Sequence, residues 1–277
     1  MNKILTIDYQ SSDLGKKLTT SLRNTGFAVI KNHPISHNLI DSIYTEWKDF
    51  FSNDAKKNYQ FDLVKQDGFF PYLSENAKDS NVKDLKEFFH IYDWGRYPKE
   101  LSNNTNLLIS EFKKMADKLL SEINFHSPND IKNEYSMPLN EMIKNSSTNL
   151  LRVIHYPPLN DNIDPSAIRA GAHEDINLIT LLVAGSEPGL QVLSQDGKWV
   201  DVSTSSDYIV VNIGDMLQEC SGGYFPSTTH RVVNPSDKNM SRYSMPFFVH
   251  ARDEVMLSKK YTAKSYLEER LKEIGLK

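Results

Sequence analysis

The chain has 277 residues, 39% of them hydrophobic, with only 12 glycines and 12 prolines, so it is neither disordered nor fibrous and can bury a substantial core. Its 32 basic and 36 acidic residues are mixed along the sequence and leave a formal net charge of -4, which argues against a nucleic-acid surface as its main business. One cysteine, Cys220, excludes an intrachain disulfide and a cysteine-rich metal site, and no apolar run approaches the roughly 18 residues of a membrane span.

The start, MNKILTIDYQ, lacks the apolar segment of a secretory signal, so a soluble, cytoplasmic protein is expected. Leu14, Leu18 and Leu22 recur every fourth residue and Gly26 follows, the pattern of a helix and its stop. FAVIKNH (27–33) then reads as a strand. Ile40, Ile43, Trp47 and Phe50 form the stripe of a second helix, and Leu108, Phe112, Met115 and Leu119 that of a third, each stripe facing a core.

From residue 149 the texture changes. NLLRVIHY, LITLLVAG, LQVLS, KWVDVS, YIVVNIGD, THRVVN and YSMPFFVH are short β-rich runs, and Asp196-Gly197 marks a hairpin between two of them. So many strands with little helix between them point to a closed or two-sheet antiparallel core. AKSYLEERLKEI closes the chain as a helix. The expected organisation is mainly β with α: a helix-rich region, 1–148, packed on a β core with a C-terminal helix, 149–277, as a single unit over 1–277.

The chemistry concentrates in the β region. His173 and Asp175 in GAHEDINLITLL are two residues apart, so on an extended segment their side chains share one side. His230, in FPSTTHRVVN, opens another strand and can supply a third ligand. Two imidazoles and one carboxylate suit a divalent first-row metal and are the ligand set of oxygen-activating non-haem Fe(II) sites, with positions left open. Glu174 points to the opposite side and takes no ligand role. Arg242 and Ser244, in RYSMPFFVH, share a strand face, and a guanidinium fork with a hydroxyl matches a carboxylate. Asn212, Gly214 and Asp215 read as structural, the Gly-Asp pair turning into a short helix. The other six histidines, at 33, 37, 90, 126, 155 and 250, carry no assignment.

These segments, taken together, resemble the isopenicillin N synthase-like branch of the Fe(II)- and 2-oxoglutarate-dependent dioxygenases. LTIDY with SLRNTGFAVIKNHPI resembles the N-terminal region of that family, LRVIHYPP the segment before its core, and GLQVLSQDGKWVDV its central hairpin. HED, THRVV and RYSMPFFV complete the likeness, which covers nearly the whole chain. The resemblance implies a distorted double-stranded β-helix, or jelly roll, with a helical N-terminal layer. It implies Fe(II) on His173, Asp175 and His230, and the far carboxylate of 2-oxoglutarate on Arg242 and Ser244. Tyr156 matches a tyrosine that in some members also contacts the cosubstrate, although Ile154 stands where an asparagine is often found. The implied activity couples oxidative decarboxylation of 2-oxoglutarate, with O2, to hydroxylation, desaturation or cyclisation of a small organic molecule. The other readings are an Fe(II) oxidase of this fold that does not use 2-oxoglutarate and a non-catalytic ligand-binding module. No nucleic-acid or membrane partner is expected, and Phe69, Phe70, Tyr72 and Phe88 are candidates to line the substrate pocket.

Overall fold

Apolar residues on both sides of the pleat, as in the IVVNI run, call for strands covered on two faces. A computed structural model of the protein, which describes residues 3–75, 82–159, 163–164, 166–183, 185–203, 205, 207–235 and 239–273, arranges them so. In chain order the elements are β1 (Thr6–Asp8), α1 (Leu14–Thr25), β2 (Phe27–Lys31), α2 (His37–Ser52), a 3-10 turn (Asp54–Tyr59), β3 (Gly68–Phe70), β4 (Glu87–Ile91), α3 (Asn104–His126), α4 (Asn129–Lys132) and α5 (Leu139–Met142). There follow β5 (Leu150–Tyr156), β6 (Ala170–His173), β7 (Ile179–Val183), β8 (Leu190–Leu193), β9 (Trp199–Asp201), β10 (Ile209–Ile213), α6 (Asp215–Cys220), β11 (His230–Val232), β12 (Arg242–Val249) and α7 (Ala263–Glu273). Of the expected runs, Ala184 in LITLLVAG and Ile274 at the end of the last helix lie outside the described residues.

The strands form two sheets of a jelly-roll core. The larger has the order β1-β2-β10-β7-β12-β5-β4-β3, antiparallel except for the β1/β2 pair, and the smaller has the order β6-β11-β8-β9. The N-terminal region is therefore more than a helical layer: β1 and β2 extend one edge of the large sheet, and β3 and β4 the other. One face of the large sheet packs on α1, α2 and α3 in a continuous apolar core that includes Leu18, Leu22, Trp47, Phe112, Val211, Leu181, Phe247 and Phe89. Trp47 Nε1 donates to Thr105 Oγ1 at 3.0 Å, which ties α2 to α3 inside that core.

The opposite face turns toward the small sheet. There Phe27, Val29, Phe70, Phe88, Ile154, Tyr156 and Val210 meet Ala170, Leu190, Val192 and Val232. The Phe27 ring stands edge-on to the His230 ring at 5.5 Å, so the two inner faces touch where His230 sits. Gly26 makes that approach feasible. Its φ of 70° caps α1 in the left-handed region, and a Cβ there would lie 2.8 Å from the Pro226 carbonyl oxygen on the segment that leads to His230.

Candidate active site

His173 closes β6 and pairs directly with His230 of β11. Asp175 is not on the strand but two residues beyond it, in the loop before β7. That loop is pinned from behind, because the Asp215 N–H donates to the Asp175 carbonyl at 2.7 Å and Met216 N–H to Ile176 at 3.1 Å. Asp175 Oδ1 consequently faces both rings, 3.9 Å from His173 Nε2 and 3.8 Å from His230 Nε2. All three ligand atoms lie within 4.8 Å of one another, and among the described residues this is the only such group of three.

The protonation states follow from the neighbours. His173 Nδ1 donates to the Gly171 carbonyl at 2.7 Å and His230 Nδ1 to that of Thr228 at 3.1 Å, which leaves both Nε2 lone pairs directed at the shared point. Burial, aided by the neighbouring His230, pushes the His173 imidazole down to about 4, so it is neutral and able to ligate near pH 7. For Asp175 burial works upward, but the two imidazoles with Asn212 and Thr180 outweigh it and hold the carboxyl below its ordinary range. Thr180 Oγ1 donates to Asp175 Oδ2 at 2.6 Å and Asn212 Nδ2 at 2.8 Å, so one carboxylate oxygen is fixed and the other is free for a cation. The side chains of Asp175 and His230 are 6% and 10% exposed against 38% for His173, so the approach to the centre opens on the His173 side.

Arg242 and Ser244 lie across the gap on the inner face of the large sheet, opposite Tyr156 and Ile154 of β5. All four are buried. The Arg242 guanidinium lies over the Tyr156 ring at 5.1 Å, and its Nε donates to the Glu187 carbonyl at 2.9 Å. Its Nη1 is buried and, among the described residues, has no hydrogen-bond partner. A Cβ on Gly185 would stand 2.5 Å from Nη2, so the absence of a side chain there makes the space that the guanidinium fills. A buried fork with a free N–H beside a serine is what a carboxylate needs.

On the β4/β5 side the inner face carries a charge-balanced cluster. Lys86 Nζ bonds Glu75 and Asp84, each at 2.8 Å, and Arg152 reaches Glu75 at 3.3 Å. Arg152 Nε donates to His90 Nε2 at 2.8 Å, while His90 Nδ1 donates to the Gln66 carbonyl. Beside it Phe61, Phe70 and Phe88 stack at 4.4 and 4.5 Å. Phe70 and Phe88 thus face inward as expected and Tyr72 is half-buried. Phe69 points the other way, into the helical core against Phe51, because adjacent residues of β3 alternate faces. Asn76, at the end of the QDGFFPYLSEN loop, lies outside the described residues.

Sequence reasoning passed over Thr180, Lys86 and Arg152, and it read Asn212 as structural without foreseeing its bond to Asp175. A signal existed: each polar residue in LITLL, IVVNI and LLRVI interrupts an apolar strand on the inner side of the pleat.

Comparison with known proteins follows the same lines. The model of the 2OG-Fe(II) oxygenase superfamily matches residues 147–251, and that of the N-terminal region of the non-haem dioxygenase in morphine synthesis matches residues 4–111. A structure of a candidate oxygenase from Shewanella oneidensis is 49% identical, with a TM-score of 0.89 over 99% of both chains. One of a candidate 2OG-Fe(II) oxygenase family protein from Caulobacter crescentus is 28% identical, with a TM-score of 0.81 over 99% of this chain and 100% of that one. The 2-oxoglutarate-dependent dioxygenase citB of Monascus ruber is 27% identical over 267 residues, 86% of this chain and 80% of the relative.

Proposed function

We propose residue roles that rest on one premise: the chain belongs to the 2OG-Fe(II) oxygenase superfamily and is an Fe(II)- and 2-oxoglutarate-dependent dioxygenase acting on a small molecule. His173, Asp175 and His230 would hold the Fe(II). The observation that carries this is the Asp175 carboxylate, tied through Oδ2 to Thr180 and Asn212 and presenting Oδ1 to two Nε2 atoms. Two imidazoles and one carboxylate leave room for a chelating cosubstrate and oxygen. Arg242, with Ser244 and Tyr156, takes the far carboxylate of 2-oxoglutarate.

When bound, the iron, with 2-oxoglutarate and O2, supplies the oxidising power for attack on an unactivated C–H bond, while 2-oxoglutarate loses carbon dioxide and becomes succinate. The chain's own contribution is placement. The Nδ1 bonds keep both imidazoles in the ligating tautomer, and the Arg242 fork fixes the direction of the cosubstrate. Phe27, Ile154, Val210 and Val232 keep water from the inner side of the centre. The substrate would enter on the open side of His173, over Phe88 and the Lys86–Glu75–Arg152 cluster, with hydroxylation as the default outcome and desaturation or cyclisation as variants.

One oxygenase unit over residues 1–277 is supported by the sheet that both halves build. Among the described residues no helix is long and apolar enough to cross a membrane. A cytoplasmic location is supported by a lone free thiol, Cys220, buried in the core.

The test of the roles is Arg242→Ala. Loss of one partner of a buried charge pair costs about 2–5 kcal/mol, so the 2-oxoglutarate concentration needed for succinate formation should rise at least about thirtyfold. An unchanged requirement would move the carboxylate site elsewhere.

A further inference from the structure

The far-carboxylate pocket contains more positive charge than one arginine. Arg169, just before β6, is 1% exposed, the same as Arg242. Their guanidinium carbons stand 6.0 and 5.1 Å from the centre of one ring, that of Tyr156. Each gives one N–H to a backbone carbonyl, Arg169 Nη2 to Met240 and Arg242 Nε to Glu187. Among the described residues each also keeps one nitrogen buried without a hydrogen-bond partner, Nε of Arg169 and Nη1 of Arg242.

Among the described residues neither guanidinium has a carboxylate bonded to it. The contrast with the other inner-face cations is direct, since Lys86 and Arg152 share Glu75 and Lys86 also has Asp84. Burial first, then the Arg242 charge, makes Arg169 less basic than an ordinary arginine, and Tyr156 and Glu187 offset this only in part. Two buried like charges side by side are costly unless an anion completes them.

We propose that Arg169 is a second cation of the cosubstrate pocket, so that the far carboxylate of 2-oxoglutarate is held between two guanidiniums across the Tyr156 ring. This rests on the proposed roles of Arg242 and Ser244. Its consequence is selectivity: the pocket favours a keto acid with a second carboxylate over one of the same length without it.

The experiment compares 2-oxoglutarate with 2-oxopentanoate, which carries a methyl group in place of the far carboxylate. Dissociation constants are measured by anaerobic calorimetry on the Fe(II)-loaded protein for wild type, Arg169→Gln, Arg169→Lys and Arg242→Gln. Arg169→Gln is expected to lower the preference for 2-oxoglutarate about tenfold or more and to leave 2-oxopentanoate binding near its wild-type value. Arg169→Lys, which keeps the charge and serves if the glutamine variant fails to fold, should recover part of the preference. Equal weakening of both ligands by the Arg169 variants would mean a structural role and overturn the proposal. A preference that Arg242→Gln lowers and the Arg169 variants leave intact would also overturn it, with the cosubstrate site itself standing. If Arg242→Gln left the preference intact as well, the site and the proposal would fall together.

Discussion

Thr180→Val is the most informative small change in the protein. Valine has the shape of threonine without its hydroxyl, and Thr180 is buried, so packing is nearly conserved while its bond to the Asp175 carboxylate and the one it accepts from Asn177 Nδ2 disappear. A hydrogen bond to a charged group contributes about 1.5–3 kcal/mol. In the metal-free protein that loss should appear as a fall of the thermal midpoint, at about 2–4 °C per kcal/mol for a chain of this size. It should also raise the Asp175 carboxyl, since the hydroxyl is one of the groups that hold it low. With Asn212 as the only donor left on Oδ2 among the described residues, the carboxylate loses its fixed orientation toward the two Nε2 atoms. Outer partners of metal ligands typically matter by about 10- to 100-fold in affinity. Anaerobic titration with Fe(II) should therefore show binding weakened by that factor in Thr180→Val and restored in Thr180→Ser. Wild-type affinity in the valine variant would refute the idea that the second carboxylate oxygen is what positions the centre.

Other perturbations probe the remaining parts. Gly185→Ala puts a methyl group 2.5 Å from Arg242 Nη2, so it should weaken 2-oxoglutarate binding without touching Fe(II) affinity, as separate titrations with each would show. Arg242→Lys should recover only part of the affinity lost in Arg242→Ala, because the ammonium lacks the planar fork, and full recovery would mean that charge alone suffices. His90 accepts from Arg152 and donates to Gln66, so its neutral form is required, and burial with the Arg152 charge pushes it down to about 3. Its folded value lies below its ordinary 6.5, so its contribution to stability is complete above pH 6.5 and is lost as pH falls toward 3. Denaturant unfolding of His90→Gln between pH 6.5 and 5 should show a shallower acid slope than wild type by up to about 1.4 kcal/mol per pH unit, while His173, His250 and His33, also held below their ordinary values, go on contributing in both. An unchanged slope would contradict the assignment.

How much could be read from the residues alone depended on how local each signal was. The stripes of α1, α2 and α3 declare themselves within a few turns, and each faces the core as its periodicity requires. The candidate ligand group could be picked out because His173 and Asp175 sit together, and the candidate carboxylate clamp because Arg242 and Ser244 alternate within one strand. β3 and β4 were not, since a three-residue strand has no periodicity to show and EFFHI finds its partner, β5, only after about sixty intervening residues. Asp175 was expected on an extended segment, whereas its position is set by the docking of α6 on the loop behind it. Asn212 reaches Asp175 from a strand 37 positions along the chain, which no spacing encodes, while Thr180 meets it from five positions on, across the turn into β7. A polar residue inside an apolar run was the one trace they left.

One anaerobic measurement tests the proposed iron and cosubstrate site most directly. Fe(II) is added to the purified protein without oxygen, followed by 2-oxoglutarate, and the visible difference spectrum is recorded. A metal-to-ligand charge-transfer band is expected that saturates at one 2-oxoglutarate per iron and is lost in Asp175→Ala together with the iron. In Arg242→Ala the same band should appear only at far higher 2-oxoglutarate. Iron bound to wild type at full occupancy with no band at saturating 2-oxoglutarate would contradict the proposed site.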